Sequence, residues 1–219
     1  MRLYLKLSKN SNAIPYNYQH LMTGCIHKWL GKSNLEHGQI SLYSFSWLQN
    51  TRSSPKGLWL TTDSYAFINF YSGEVTKKVV KGILSDPELF NGVLVTDVML
   101  KDTPDFREKE TFVVASPILI KRSQDDKEKH YTFSDDESNL FMTQTLQTKL
   151  EQAGLSKENI SVRFDDTYSN PKTKLINYKG IKNRANLCPV VIEGSPEQIG
   201  FAWNVGIGNS TGIGFGALK

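Results

Sequence analysis

Cysteine is scarce in this chain. Cys25 and Cys188 are the only two, each among apolar neighbours, too few for a disulfide framework or a cysteine zinc site. They read as small core residues. Histidine is nearly as scarce, with four in 219 residues, and neither a His-x-x-x-His pair nor an H-E-x-x-H segment occurs. The only carboxylate close to the first three histidines is Glu36, so neither a metal centre nor a cofactor is expected. No window approaches the run of roughly 20 apolar residues that crosses a bilayer. The opening Arg2-Leu3-Tyr4-Leu5-Lys6-Leu7 alternates, unlike the continuous apolar core of a signal peptide. The expectation is a cytoplasmic protein with no membrane partner. Low-complexity tracts and sequence-level repeats are missing as well.

Two familiar phosphate motifs are also missing. A Walker loop needs Lys and Ser or Thr after its glycines and a helix beyond, yet the only Lys after Gly216 is Lys219. The dinucleotide fingerprint fails because Gly206-x-Gly208 is followed by Gly212, one residue too late. What is present is a concentration: five of the sixteen glycines lie between Gly206 and Gly216, interleaved with Ile207, Ile213 and Phe215. Such a loop presses its backbone against something, since only Gly lacks the Cβ that blocks close approach. A phosphate cradled by backbone N–H groups, with Ser210 and Thr211 as hydroxyl donors, is one reading. A tight glycine hairpin without a ligand is the other.

The length allows one large domain or two of roughly 100 residues. A formal charge of +4 and a pI near 8.9 permit a nucleic-acid partner without demanding one. Residues 2–7 predict a half-buried strand. Residues 16–31 predict a helix, with Leu21, Met22, Cys25, Ile26, Trp29 and Leu30 on one face and Gly31 as its stop. A strand over 39–48, a hairpin of 57–62 with 65–71, a helix over 74–84 and a strand over 92–101 follow. This β-α-β-β-α-β order is the ferredoxin-like pattern. It starts again with a strand over 112–120 broken at Pro117, a charged turn over 126–130 and a helix over 136–153 striped by Leu140, Phe141, Leu146 and Leu150. Strands over 160–168, 172–182 and 187–193 come next. Ser195-Pro196 caps a short helix over 196–203, and the glycine loop then lies between two short terminal strands. The fold class is α+β, two tandem ferredoxin-like (RRM-like) domains over 1–104 and 105–219, ending in the glycine-rich loop.

Two groups of residues carry chemistry. His20, His27 and His37 fall within eighteen residues around the first helix. His20 and His27, seven apart, share with Tyr16 a face opposite the apolar stripe, which is expected to look outward. Paired histidines take up and release protons near neutral pH, which RNA backbone cleavage requires. One takes the 2′-OH proton, the oxygen attacks phosphorus, and the other protonates the leaving 5′ oxygen. A cation stabilises the phosphorane, and Lys28 and Lys32 are near in sequence. The second group is basic: Arg163, Lys172, Lys174, Lys179, Lys182 and Arg184, with Tyr168 and Tyr178 interleaved. Alternation with Leu175, Ile176 and Ile181 predicts charges along one side of a strand pair, a phosphate-tracking surface. There is no RNP-type aromatic octapeptide.

These parts together resemble a known family. The carriers are the initial strand, Pro15-Tyr16-Asn17-Tyr18-Gln19 opening a helix, Ser116-Pro117-Ile118 in mid-chain, and the terminal G-h-G-x-x-x-G-h-G-h-G. They resemble the CRISPR-associated repeat-RNA endoribonucleases, the Cas "six" family of the RAMP superfamily. The resemblance implies metal-independent cleavage of precursor CRISPR RNA within its repeats. The products would be a 5′-hydroxyl end and a 2′,3′-cyclic or 3′-phosphate end. Guide RNAs would pass to an interference complex, with transient contact, from a monomer or homodimer. It places the acid–base pair on His27 and His37. Some members carry a Lys shortly before the second strand, where this chain has Ser41, so the cation's role falls to Lys28 or another lysine. Lys172, Lys174, Lys179, Lys182 and Arg184, with Gly206, Gly208, Asn209, Ser210, Thr211, Gly212 and Gly214, would touch RNA. A non-catalytic RAMP subunit holding guide RNA would share the fold, loop and basic strands but would not need the histidines.

Overall fold

The computed structural model describes residues 1–31, 41–124 and 127–219. The first half is built on β1 (Arg2–Leu7), whose alternating leucines turn inward. It continues through α1 (Gln19–Leu30), β2 (Tyr43–Phe45), β3 (Gln49–Ser54), β4 (Gly57–Phe70), α2 (Gly73–Ser85) and β5 (Val95–Lys101). The antiparallel sheet runs β2-β4-β1-β5, with β3 added along β4. Apart from β3, this is the ferredoxin-like order. The apolar stripe of α1 and the Val79–Ile83 face of α2 pack with the inward residues of β1 into one core. Gly31, at φ +80°, ends α1, and Ser72 caps α2 by accepting from the Val75 amide.

The second half comprises β6 (Lys109–Phe112), β7 (Ile120–Gln124), β8 (Lys127–Tyr131), α3 (Ser138–Gln152), β9 (Ser161–Phe164), β10 (Lys172–Tyr178), β11 (Ile181–Leu187), β12 (Val190–Glu193) and α4 (Pro196–Val205). Its sheet runs β6-β12-β9. The last residues run beside the continuation of β6: Lys219 N–H donates to the Val113 carbonyl at 2.7 Å and Ala115 N–H to the Ala217 carbonyl at 2.7 Å. They lie against this strand as β5 lies against β1. The hairpins β7–β8 and β10–β11 are additions to the sheet. Ser195 and Pro196 start α4 as the sequence predicts, and Gln198 completes a capping box with Ser195. The second core gathers α3, α4 and this sheet.

Several expectations need correction. The 57–62/65–71 hairpin is one 14-residue strand. Thr61 N–H donates to Ser64 Oγ at 2.8 Å, and residues 61–64 bulge out of the pairing while the strand continues. Of the strand predicted over 39–48, Tyr43–Phe45 forms one, and 39–40 lie outside the described residues. The 112–120 strand divides into the end of β6 and the start of β7, with Ile118 bridged to Asn186 between them. The charged turn over 126–130 is mostly β8, although Asp125 and Asp126 themselves lie outside the described residues. The 172–182 strand turns back at Lys179 (φ 49°) and Gly180 (φ 87°), the two left-handed residues that a two-residue hairpin needs. Leu140 is exposed, and Met142 takes its place in the α3 stripe. No strand follows α4 among the described residues; instead a 3-10 turn covers Thr211–Ile213. Among the described residues no helix is long and apolar enough to cross a membrane.

Candidate functional site

His27 lies in the last turn of α1, where a basic side chain complements the negative end of the helix. It is half-buried rather than outward, because β2 and the 3-10 turn cover this flank of α1. Its Nε2 lies 3.3 Å from the Tyr43 hydroxyl. Tyr43 donates its proton to the Gly212 carbonyl at 3.0 Å, so its oxygen accepts from Nε2–H of His27. A residue of the first half, Tyr43, thus ties the predicted acid–base side chain to the glycine loop of the second. His20 does not join them; its Nδ1 lies 2.8 Å from the Asn17 carbonyl. His37, Lys32 and Glu36 lie outside the described residues.

The glycine loop presses mainly against protein. A Cβ on Gly216 would overlap the Ile207 carbonyl oxygen, one on Gly212 the Ser41 hydroxyl and one on Gly206 the Gly216 carbonyl, while one on Gly214 would press tightly on the Phe45 ring. The loop carbonyls accept bonds from the first half: Gly212 from Tyr43, and Gly214 from Trp47 Nε1 at 2.9 Å. Gly206, Gly208, Thr211, Gly212 and Gly214 are buried, whereas Asn209 and Ser210 are partly open. The glycines therefore let the two halves approach, and Asn209–Ser210 is the part of the loop that reaches solvent. Ser41 sits against Gly212 and is half-buried.

Lys28 points elsewhere. Its ammonium lies 2.9 Å from Asp86 Oδ2 and donates to the Glu88 carbonyl at 2.6 Å, tying α1 to the segment after α2. That hydrogen bond, with a second from the Glu88 amide, holds the exposed Asp86 carboxyl below its usual range.

The sequence reading missed two cations. Lys149, on the apolar face of α3, is buried, and its Nζ reaches the Val205 and Gly206 carbonyls at 3.2 Å each and Thr211 Oγ1 at 3.1 Å. Burial pushes its ammonium down to about 7. The signal was its spacing: three after Leu146 and one before Leu150, a lysine inside an apolar stripe. Arg122, on β7, donates through Nη2 to the Phe141 carbonyl at 2.7 Å and to Thr145 Oγ1 at 3.1 Å, with its guanidinium 4.6 Å from the Phe141 ring centre. Burial lowers its pKa as well.

The basic hairpin departs from the single-sided expectation. Lys172, Lys174, Lys179, Lys182 and Arg184 are all exposed. The register pairs Lys174 with Ala185 and Leu175 with Arg184. Side chains alternate across a sheet, so Lys172 and Lys174 share the face of buried Ile176, whereas Lys182 and Arg184 share the opposite face with exposed Leu175. Lys174 Nζ rests 4.8 Å from the Trp47 ring centre. Lys179 occupies the turn.

The sequence profile of the family described as "CRISPR associated protein Cas6, C-terminal" matches residues 101–219. The CRISPR-associated endoribonuclease-like protein Cas6 of Pyrococcus furiosus is 27% identical over 240 aligned residues, spanning 100% of this chain and 98% of its own. Among solved structures, that of a Cas6-related gene from Pyrococcus furiosus superimposes with a TM-score of 0.87 at 23% identity, covering 100% of this chain and 97% of the other. A RAMP protein binding different RNA substrates superimposes with a TM-score of 0.85 at 19% identity, covering 100% and 98%. At such identities the structural likeness speaks for the fold, that of two tandem ferredoxin-like domains.

Proposed function

The chain belongs to the Cas6 family, known as CRISPR-associated endoribonucleases, and from that premise we propose that it cuts precursor CRISPR RNA within its repeats without a metal. The observation that carries the reading is the His27–Tyr43–Gly212 contact, which brings a half-buried imidazole to the junction of the two halves. His27 and His37 act as the acid–base pair. The RNA 2′-OH loses its proton to the base, its oxygen bonds to phosphorus, the P–O5′ bond breaks, and the acid protonates O5′. Ser41, which packs against Gly212, is our candidate to donate a hydroxyl to the reacting phosphate. Lys28, held by Asp86, would have to leave that partner to serve as the cation. Lys172, Lys174, Lys179, Lys182 and Arg184 supply phosphate contacts, and Asn209 and Ser210 form the loop's RNA-facing rim.

We place the domain boundary at 104/105. The first core draws its buried residues from 3–95 and the second from 112–218, which supports that division. The enzyme works in the cytoplasm as a monomer or homodimer and hands guide RNA to an interference complex.

The non-catalytic RAMP reading draws on one observation, the engagement of Lys28 by Asp86 and of Lys149 by the loop, which leaves both lysines occupied. Cleavage of the host's repeat RNA in excess EDTA decides between the two. One cut by wild type, lost in His27→Ala, in His37→Ala and on a substrate with 2′-deoxy at the scissile nucleotide, is the expected result. Binding without cutting by wild type selects the guide-holding subunit.

A further inference from the structure

A cavity of about 650 Å³ opens between β7, α3 and the rim of the glycine loop. Its walls include Arg122, Lys149, Thr145, Thr148, Ser210 and Ser41. Among the described residues that line it there is no carboxylate and no aromatic ring. Lys121 also lines it, with its ammonium turned to Glu128 Oε2 at 2.7 Å. The other two cations bond only neutral oxygens: Arg122 the carbonyls of Lys121 and Phe141, Thr145 and Asn209, and Lys149 two carbonyls and Thr211. Among the described residues no acid bonds either side chain, and the Arg122 guanidinium keeps its charge in a site of low local dielectric, which strengthens its field.

We propose that this cavity is a phosphate subsite for the RNA strand, with Arg122 as its anchoring cation, the Ser210 hydroxyl as a donor and Thr148, whose own hydroxyl donates to the Gln144 carbonyl, at its mouth. The proposal rests on RNA being the substrate. The chemistry selects phosphate over a nucleobase: donors and positive charge abound, and no ring offers a stacking surface. It selects a phosphate of the bound strand because Ser41 belongs both to the cavity wall and to the packing against Gly212, which Tyr43 and His27 share. One loop therefore borders both the cavity and the Tyr43 contact that holds His27. The glycine loop serves both sites: its Gly212 carbonyl faces Tyr43 and its Asn209 accepts from Arg122.

The test measures binding of repeat RNA carrying 2′-deoxy at the scissile nucleotide, across a range of salt, by wild type, Arg122→Gln, Arg122→Lys and Thr148→Glu. Thr148 is exposed, so its replacement puts a carboxylate at the mouth without emptying the core. Expected are about tenfold weaker binding by Arg122→Gln and a log–log salt slope shallower by about 0.7, the loss of one phosphate contact on a single strand. Arg122→Lys should recover the slope, and Thr148→Glu should weaken binding at an unchanged thermal midpoint. Wild-type affinity and slope in Thr148→Glu and in Arg122→Gln overturn the subsite. If Arg122→Gln does not fold, Thr148→Glu alone decides. Wild type that binds the RNA but never cuts it removes the nuclease reading and leaves the subsite standing on the binding data, whereas wild type that binds no RNA overturns both.

Discussion

Lys149 donates to Thr211 across 3.1 Å inside the second half, and among the described residues no Asp or Glu is buried with it. A single amine on α3 therefore fastens the end of α4 and the 3-10 turn that presents Gly212 to Tyr43. Its cost is desolvation, since burial lowers its pKa from the ordinary 10.5 to about 7. Between those values the unfolded chain holds a proton that the folded chain lacks, so stability rises with pH across that interval and levels off below it. Denaturant midpoints should climb from about pH 7 towards pH 10 in wild type. The climb should be smaller in Lys149→Met, and an identical pH dependence in the two proteins would refute this assignment.

Gly216→Ala places a methyl group on the Ile207 carbonyl at φ +66°. Strain and overpacking together should cost about 2–5 kcal/mol. Gly154→Ala, at φ +72° but with open space around it, should cost only about 1 kcal/mol. Thermal melts of the two variants read the difference, and equal losses would show that the loop is not packed as described.

The two faces of β10–β11 should not contribute equally to RNA affinity. Lys182→Ala with Arg184→Ala removes charge from the face that carries exposed Leu175. Lys172→Ala with Lys174→Ala removes it from the face turned to Ile176 and Trp47. The first pair should flatten the salt dependence of binding by about 1.4 log units per log unit, two single-strand contacts, and the second by less. A filter or anisotropy titration over 50–300 mM salt (about one Debye-length halving) gives both slopes.

Replacing Lys28 by Gln should release Asp86, whose carboxyl would titrate closer to its ordinary value, as NMR of the side chain would register. Because the ammonium already lies 2.9 Å from Asp86 Oδ2, cleavage should fall less than tenfold, well short of the effect expected for removing a charge-stabilising donor. A loss of 100-fold or more with unchanged RNA affinity would put Lys28 at the reacting phosphate instead.

The parts of the fold legible in the sequence are those written in local periodicity and caps. The leucines of β1, the stripe of α1 and the Ser195-Pro196 helix start each determine their own element and appear as read. The illegible parts depend on what comes from elsewhere in the chain. A helical wheel shows that His27 is off the apolar stripe of α1, but not that a loop nearly two hundred residues later covers that flank. The glycines announce close approach without naming the neighbour, which proved to be Ile207, Ser41 and Phe45. Lys179 gave no turn signal because left-handed backbone is uncommon for lysine. Lys149 went unread because lysines are almost never fully buried.

Arg2 lies between the Phe67 and Trp203 rings, 3.9 and 3.6 Å from their centres, and donates to the Leu218 carbonyl at 2.7 Å. Residue 2 is thus seated only when residue 218 has arrived. On the ribosome the first core has all its buried residues once Val95 emerges, and domains fold as units during synthesis. The second core must wait for Leu218, which is made more than a hundred residues after the first core is complete. Until then the Arg2 guanidinium lacks the Trp203 ring and the Leu218 carbonyl, so the nascent chain passes through a stage with one half formed and this seat half built.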